Sequence, residues 1–322
     1  MAERLTSAER ESPLRHPVLL LGGGSGTGLL LATRLSLEGR IVYIGTRSPE
    51  KFNSLRDSVV KSGGTEPKPF IADIKNPAET KEAYENMELS EGQVVDYFPF
   101  AAGGFEPLMS RIARLLVRLK RELEGKGFIS KESAMAATEA MREFTTTESA
   151  LAFANETNTE APIKLAEHLV KNGHLDSSST IAVLSSSISK YTNPNNIDMY
   201  PGPWFYYPVG RSKAEGAHRL KALSERLGAT FIDFVAPYIT GTMAGDFFVG
   251  FEPVLEALHK IESEDRFEFP VVSTEHVVDV ILSEISKNGS SLPRSRDVYI
   301  LPKGPAQYTP PEGFGKPIVS YL

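Results

Sequence analysis

The stretch Val18-Leu19-Leu20-Leu21-Gly22-Gly23-Gly24-Ser25-Gly26-Thr27-Gly28 constrains this chain more than any other part of it. A short apolar run, a cluster of glycines and then Leu29-Leu30-Leu31-Ala32 is the pattern of a buried strand turning tightly into a helix. Such a turn suits a phosphate. Glycine permits backbone angles and close approach that a Cβ forbids, and the following helix aims its unpaired N–H groups and positive dipole end at an anion. The spacing is Gly22-x-x-x-Gly26-x-Gly28, distinct from the Gly-x-Gly-x-x-Gly of the other common dinucleotide turn.

Downstream, β-branched and aromatic runs predict strands over residues 40–46, 69–74, 93–100, 179–185, 230–235 and 296–301. Helical patterns fall between them, over 159–171, 208–227 and 275–287 among others. Alternating strands and helices imply right-handed crossovers and a parallel sheet. The expectation is an α/β chain with a doubly wound parallel sheet in three α/β/α layers. It is a single domain over 16–301, with a flexible tail at 1–15 and an extended proline-rich tail at 302–322. The alternation is interrupted at about 105–147 by two extra helices, one basic and amphipathic from Pro107. This insertion reads as a surface embellishment, a subunit contact or a lid.

Composition narrows the function. At 322 residues the chain can bury a substantial core, and 41% hydrophobic with 24% charged residues is ordinary for a globular protein. A net charge of −6 argues against a nucleic-acid partner, the longest basic stretch, 111–121, reading as one helix face. The absence of cysteine excludes disulfides, thiolate metal sites and a cysteine nucleophile. His16, His168, His174, His218, His259 and His276 show no ligand spacing, so no metal site is expected. Ser185-Ser186-Ser187 lacks the Gly-x-Ser-x-Gly elbow of hydrolases. No apolar run approaches a bilayer span and the first 15 residues are polar, so the expectation is a cytoplasmic protein without a membrane partner.

Several stations in order resemble the short-chain dehydrogenase/reductase family between about residues 17 and 242. The glycine turn matches that family's cofactor loop, which would place Gly22, Gly24, Ser25, Gly26, Thr27 and Gly28 against the cofactor. Ala72-Asp73-Ile74 stands where the family has an Asp near the adenine ring, and Ala101-Ala102-Gly103-Gly104 where it usually has Asn-Asn-Ala-Gly. Asn155, Ser186, a tyrosine-plus-Lys213 helix and Val235-Ala236-Pro237-Tyr238-Ile239-Thr240 follow in the family's order. The resemblance implies a Rossmann-type fold and hydride transfer involving a small, mainly apolar substrate. It implies Pro237, Ile239 and Thr240 or Thr242 beside the nicotinamide, and a homodimer or homotetramer as the common assembly.

The chemistry can be checked on physical grounds. Hydride transfer to a carbonyl develops negative charge on oxygen, so a proton donor must sit beside it. Bringing a tyrosine from its ordinary pKa of about 10 to near 7 takes roughly 4 kcal/mol. One ammonium about 4 Å away at an effective dielectric of about 20 supplies about that much. In the resemblance Lys213 is that ammonium and also a ribose ligand, Ser186 orients the substrate oxygen, and Asn155 holds a proton path through water.

The tyrosine departs from the family pattern, which is usually Tyr-x-x-x-Lys. Four residues before Lys213 stands Val209, and the available tyrosines are Tyr206 and Tyr207. A separation of seven returns to the same helix face, whereas six does not, which favours Tyr206. Pro208 can start the helix and leave Tyr206 on a loop, so Tyr207 stays an alternative. Tyr206-x6-Lys213 resembles the enoyl-thioester reductases of the same superfamily, although those usually have a less regular cofactor loop and an aromatic residue where Ser186 stands. A third reading is a cofactor-binding protein without redox turnover. Trp204-Phe205-Tyr206-Tyr207 reads as pocket lining or core.

Cofactor choice is read at the end of the second strand. An acid there favours NAD through the ribose hydroxyls, and an arginine favours the 2′-phosphate of NADP. The chain has Thr46-Arg47 and no carboxylate before Glu50, so NADP(H) is expected.

Overall fold

The computed structural model describes residues 16–100, 108–186, 206–262, 271–287, 292–302 and 304–310. Seven strands form one parallel sheet in the order β3-β2-β1-β4-β5-β6-β9. They are β1 (Val18–Leu21), β2 (Val42–Thr46), β3 (Lys68–Ile71), β4 (Asp96–Pro99), β5 (Thr180–Ser186), β6 (Thr230–Ala236) and β9 (Ser295–Tyr299). The order reverses between β1 and β4, and ligands of open α/β sheets bind outside the carboxyl ends of strands at such a switch point. A separate two-stranded parallel ribbon pairs β7 (Tyr238–Thr240) with β8 (Val271–Ser273).

The strands are apolar on both faces because helices cover both. In β1, Val18 and Leu20 join one buried cluster, which includes Leu31 and Leu35 of α1 (Gly26–Leu37), Phe52 and Leu55 of α2 (Pro49–Lys61) and Val277 and Ile281 of α11 (Thr274–Ser286). Leu19 and Leu21 join a second cluster with Ala83 of α3 (Pro77–Glu85), Leu165 and Leu169 of α7 (Ala161–Lys171) and Leu220 and Leu223 of α8 (Tyr207–Leu227). At the amino edge of the sheet, Arg40 Nη2 donates to Asp96 at 2.7 Å, while the other oxygen of Asp96 accepts the Thr180 N–H at 2.8 Å. That buried carboxylate ties the segment before β2 to the starts of β4 and β5.

A third apolar cluster stands apart from these two. It joins α4 (Met109–Lys126) and α5 (Lys131–Thr145) to α9 (Met243–Val249) and α10 (Glu252–Glu262), with Val209 and Tyr206 at the start of α8 packed against it. The helices of the 105–147 stretch therefore share a core with residues 243–262. α4 ends at Gly127, whose φ of 76° is left-handed, and Ser130 caps α5 by accepting the Ser133 N–H at 3.2 Å.

The structure adds elements that the sequence pattern did not reveal: α6 (Glu148–Asn155), α9, α10, β7 and β8. Helix α6 continues through a π-helical segment, Glu156–Glu160, into α7. Its Glu-Thr-Asn-Thr-Glu sequence holds residues of modest helix propensity, which hid a helix that tertiary packing sustains. Part of the expected extended tail is folded: Tyr299 and Gln307 exchange backbone hydrogen bonds of 2.8 and 3.0 Å, and Tyr308 donates to buried Glu284. The 1–15 tail, residues 311–322, the loop at 189–203 and Ala101, Ala102 and Gly103 lie outside the described residues. No helix among the described residues is long and apolar enough to cross a membrane.

Candidate active site

The β1–α1 turn has the backbone its glycines require. Gly22 and Gly26 have φ of 78° and 52°, and a Cβ on Gly28 would run into the Gly22 carbonyl. Helix α1 then starts without help: its N-cap Ser25 makes no side-chain cap bond and its first turn holds no acid. Helices α2 and α3, by contrast, are capped by Ser48 and Asn76. Beside the turn, Thr27 Oγ1 is buried without a partner. Unpaired donors, glycine clearance and an orphaned hydroxyl at one helix N-terminus fit a phosphate-bearing cofactor.

A cavity of about 350 Å3 opens from this turn. Gly22, Gly24 and Ser25 line one side, Thr46 and Arg47 at the end of β2 a second, and Asp73 and Ile74 after β3 a third. Three neighbourhoods spread over about 50 residues of sequence, Gly22 to Ile74, are thus brought to one cleft. The cavity also takes in Lys51, Lys75, Phe153 and Thr157, which sequence reasoning missed. Lys75 Nζ stands 3.7 Å from Asp73 and 4.5 Å from the centre of the Phe153 ring. Glu50 is not part of the wall, and its carboxylate accepts the Ser48 hydroxyl at 2.7 Å, which holds its pKa below the usual carboxylate value.

Of the two candidate threonines, Thr242 reaches the glycine turn: its Cγ2 would lie 3.1 Å from a Cβ on Gly26. It also caps α9, accepting the Gly245 N–H at 3.1 Å and donating to the Ile239 carbonyl at 2.7 Å. Thr240 turns the other way, its hydroxyl donating to the Val272 carbonyl of β8 at 3.2 Å. Pro237 is buried between β6 and β7, and Ile239 packs at the edge of the first apolar cluster.

The polar centre sits at the carboxyl end of β5. Ser186 is its last residue, in register with Ala236 of β6. Lys213 on α8 donates from Nζ to the Leu184 carbonyl at 3.1 Å. A pocket of about 20 Å3, enough for one water, is lined by Lys213, Leu184, Ser185, Gly216 and Asn158 among others. Beneath it the Ser185 hydroxyl donates to buried Asp233 at 2.5 Å.

Asn158 lines this pocket, and Asn155, the asparagine that the resemblance implies, stands three residues earlier. Asn158 is 8% exposed and its Nδ2 donates to Ser212 Oγ at 2.9 Å. Asn155 ends α6 one turn earlier, half-buried, and does not line the pocket. The difference arises in the π-helical segment, which packs closely on α8: a Cβ on Gly216 would lie 2.5 Å from the Asn158 carbonyl. Order along the chain cannot choose between two asparagines three residues apart, and a signal was available only in the poor helix formers around the second.

Tyr206 is the N-cap residue of α8, with φ −93° and ψ −8°, so near-helical geometry extends back to it. It therefore shares a face with Lys213 at about 10 Å along the axis. Lys213 makes no hydrogen bond to it. Tyr206 lies against the third cluster beside Tyr238, whose phenol is pushed well above its ordinary pKa, by burial first and by Tyr206 second. Tyr207 is 3% exposed, and burial raises its pKa too.

The switch point, the glycine turn and the cleft beside it define a doubly wound fold of the dinucleotide-binding kind. More narrowly, the chain has the fold of the short-chain dehydrogenases/reductases. It superposes on a short-chain type dehydrogenase/reductase from Mycobacterium marinum with a TM-score of 0.57 and 16% identity, over 89% of this chain and 94% of that one. With an NADPH-dependent 3-quinuclidinone reductase from Rhodotorula rubra the TM-score is 0.59 at 15% identity, over 94% and 96%. In sequence the chain is similar to a probable 2,4-dienoyl-CoA reductase 3 from Caenorhabditis elegans, 30% identical over 106 residues, 32% of this chain and 34% of that protein. An uncharacterized oxidoreductase of the same nematode is 31% identical over 96 residues, 30% and 31% of the two. The chain thus spans about a third of the length of these curated relatives. No protein-family model matches it.

Proposed function

We propose that this protein is an NADP(H)-dependent oxidoreductase that reduces a carbonyl or conjugated enone of a small, mainly apolar substrate. The observation that carries the reading is the single cleft joining the glycine turn, Thr46-Arg47 and Asp73-Ile74. The N-terminus of α1 holds the pyrophosphate and Asp73 and Ile74 flank the adenine. Arg47 and Lys51 receive the 2′-phosphate, and the neighbouring Glu50 lies outside the wall, its carboxylate bonded to Ser48. Thr242, packed against Gly26, would contact the cofactor between the pyrophosphate and the nicotinamide.

When bound, the cofactor supplies a hydride to the substrate carbon. Ser186 orients the substrate oxygen, and Tyr206 gives it a proton. Lys213, fixed by the Leu184 carbonyl, favours the tyrosinate left behind and bonds the ribose. Asn158 keeps one water beside Lys213, the route by which Tyr206 is reprotonated. Tyr206 is preferred to Tyr207, which burial withdraws from solvent.

Within this chemistry, an enoyl or dienoyl thioester is the second reading. It is favoured by the seven-residue Tyr206 to Lys213 separation and by the dienoyl-CoA reductase names of two curated relatives. NADPH oxidation measured against ketones, enones and enoyl thioesters, beside Tyr206→Phe, tests both. Turnover that vanishes in Tyr206→Phe while NADPH still binds supports the mechanism. NADPH binding with no turnover of any acceptor sinks it and leaves a non-redox binding protein.

A further inference from the structure

The outer face of α4 carries Arg111, Arg114, Arg118 and Arg121, all exposed. Steps of three, four and three residues keep them on one face, spread over about 15 Å of helix axis. Arg111 lies over the Phe144 ring at 5.8 Å. Arg114, Arg118 and Arg121 make no ion pair or hydrogen bond among the described residues. Of the two acids on the helix, Glu122 turns away to the Ser130 N–H and Lys126, leaving Glu124 at the far end. In a chain of net charge −6 this is a concentrated positive stripe, its neighbouring charges about 5 Å apart along the axis and so within the roughly 8 Å Debye length at physiological salt.

Exposed apolar side chains lie on the same helix pair. Phe128, at the turn between α4 and α5, is 58% exposed, the highest of any large apolar side chain among the described residues. Met135 on α5 is 55% exposed, and Val117, flanking the stripe, 37%. A projecting aromatic tip beside a row of arginines has the two parts of an interfacial membrane contact: cations for anionic headgroups and an apolar group for the acyl boundary. A nucleic acid would be met by the cations alone, and the rest of this acidic chain would oppose wrapping it.

We propose that the α4–α5 hairpin docks on anionic phospholipid membranes, the arginine stripe contacting headgroup phosphates and Phe128 entering the bilayer edge. Such a contact needs no spanning helix, the feature whose absence led to the expectation of no membrane partner. The same hairpin contributes to the third apolar cluster, against which Tyr206 packs.

Flotation of the full chain with phosphatidylserine-containing and with pure phosphatidylcholine vesicles tests this. Binding only to the former, released by salt, is expected. Each arginine near the surface is worth roughly fivefold, about 1 kcal/mol, so the combined R114A, R118A and R121A variant loses on the order of a hundredfold. Phe128→Ser loses several-fold, and thermal melting checks that both variants stay folded. Equal flotation with the two lipids, undiminished binding by the folded triple variant, or preference for a homopolymeric RNA over vesicles overturns the proposal.

Discussion

Asn158 Nδ2 donates to Ser212 Oγ across 2.9 Å, and Thr159 Oγ1 donates to the Ser212 carbonyl at 2.7 Å, so the π-helical segment is bolted to α8 one residue before Lys213. Ser212 closes the joint by donating to the Pro208 carbonyl at 2.8 Å. The position of Lys213 along the sheet is therefore set from two sides, by β5 and by this joint.

Replacing Asn158 by Ala is expected to lower kcat by about 10- to 100-fold, as loss of a positioned proton path does, while Asn155→Ala stays near wild type. Steady-state kinetics of the two variants decide between them. A larger loss in Asn155→Ala would reverse the assignment.

Arg47→Glu is expected to raise KM for NADPH by about 10- to 100-fold, the worth of a charge-assisted hydrogen bond, with a much smaller effect on NADH. Lys51, in the same wall, gives a change of the same sign. Kinetics with both cofactors check this; equal losses for NADPH and NADH would remove Arg47 from the 2′-phosphate site.

Gly28→Ala forces a methyl group into the Gly22 carbonyl. The expected cost is on the order of 3 kcal/mol, as for other overpacked positions, seen as a lower melting temperature together with weakened cofactor binding. A variant as stable as wild type would mean that the turn yields.

Glu122 joins α4 to α5. The Ser133 hydroxyl foremost, then the Ser130 N–H and Lys126, hold its pKa at about 2 against the opposing effect of burial. Because the folded value lies below the ordinary 4.5, the contribution to stability is complete above 4.5 and is lost as pH falls toward 2. Glu122→Gln should therefore melt below wild type at neutral pH and converge with it near pH 2, measured by thermal denaturation across that range.

The sequence revealed what is local. A strand, a glycine turn and a helix are consecutive, so the β1–α1 unit could be read directly, and the place of Arg47 at the end of β2 followed in the same way. The placement of Asn158 in the Lys213 pocket could not be read in that way, because it depends on which turn of a deformed helix faces α8. Lys51 and Lys75 enter the cleft only once α2 and the loop after β3 are placed. Helices α9 and α10 were hidden for a related reason: their apolar residues face α4 and α5, more than a hundred residues earlier, and not the sheet.

The third apolar cluster has a thermodynamic consequence. Its side chains are distinct from the two clusters that clamp the sheet, so α4, α5 and α10 are expected to open at a lower free energy than the strands and without melting the glycine turn. Amide hydrogen exchange should then separate the molecule into two tiers, with α4, α5 and α10 exchanging through a cheaper opening than β1, β4 and β5. Substrate admission and cofactor retention would thereby be uncoupled, each governed by a different part of the chain's stability.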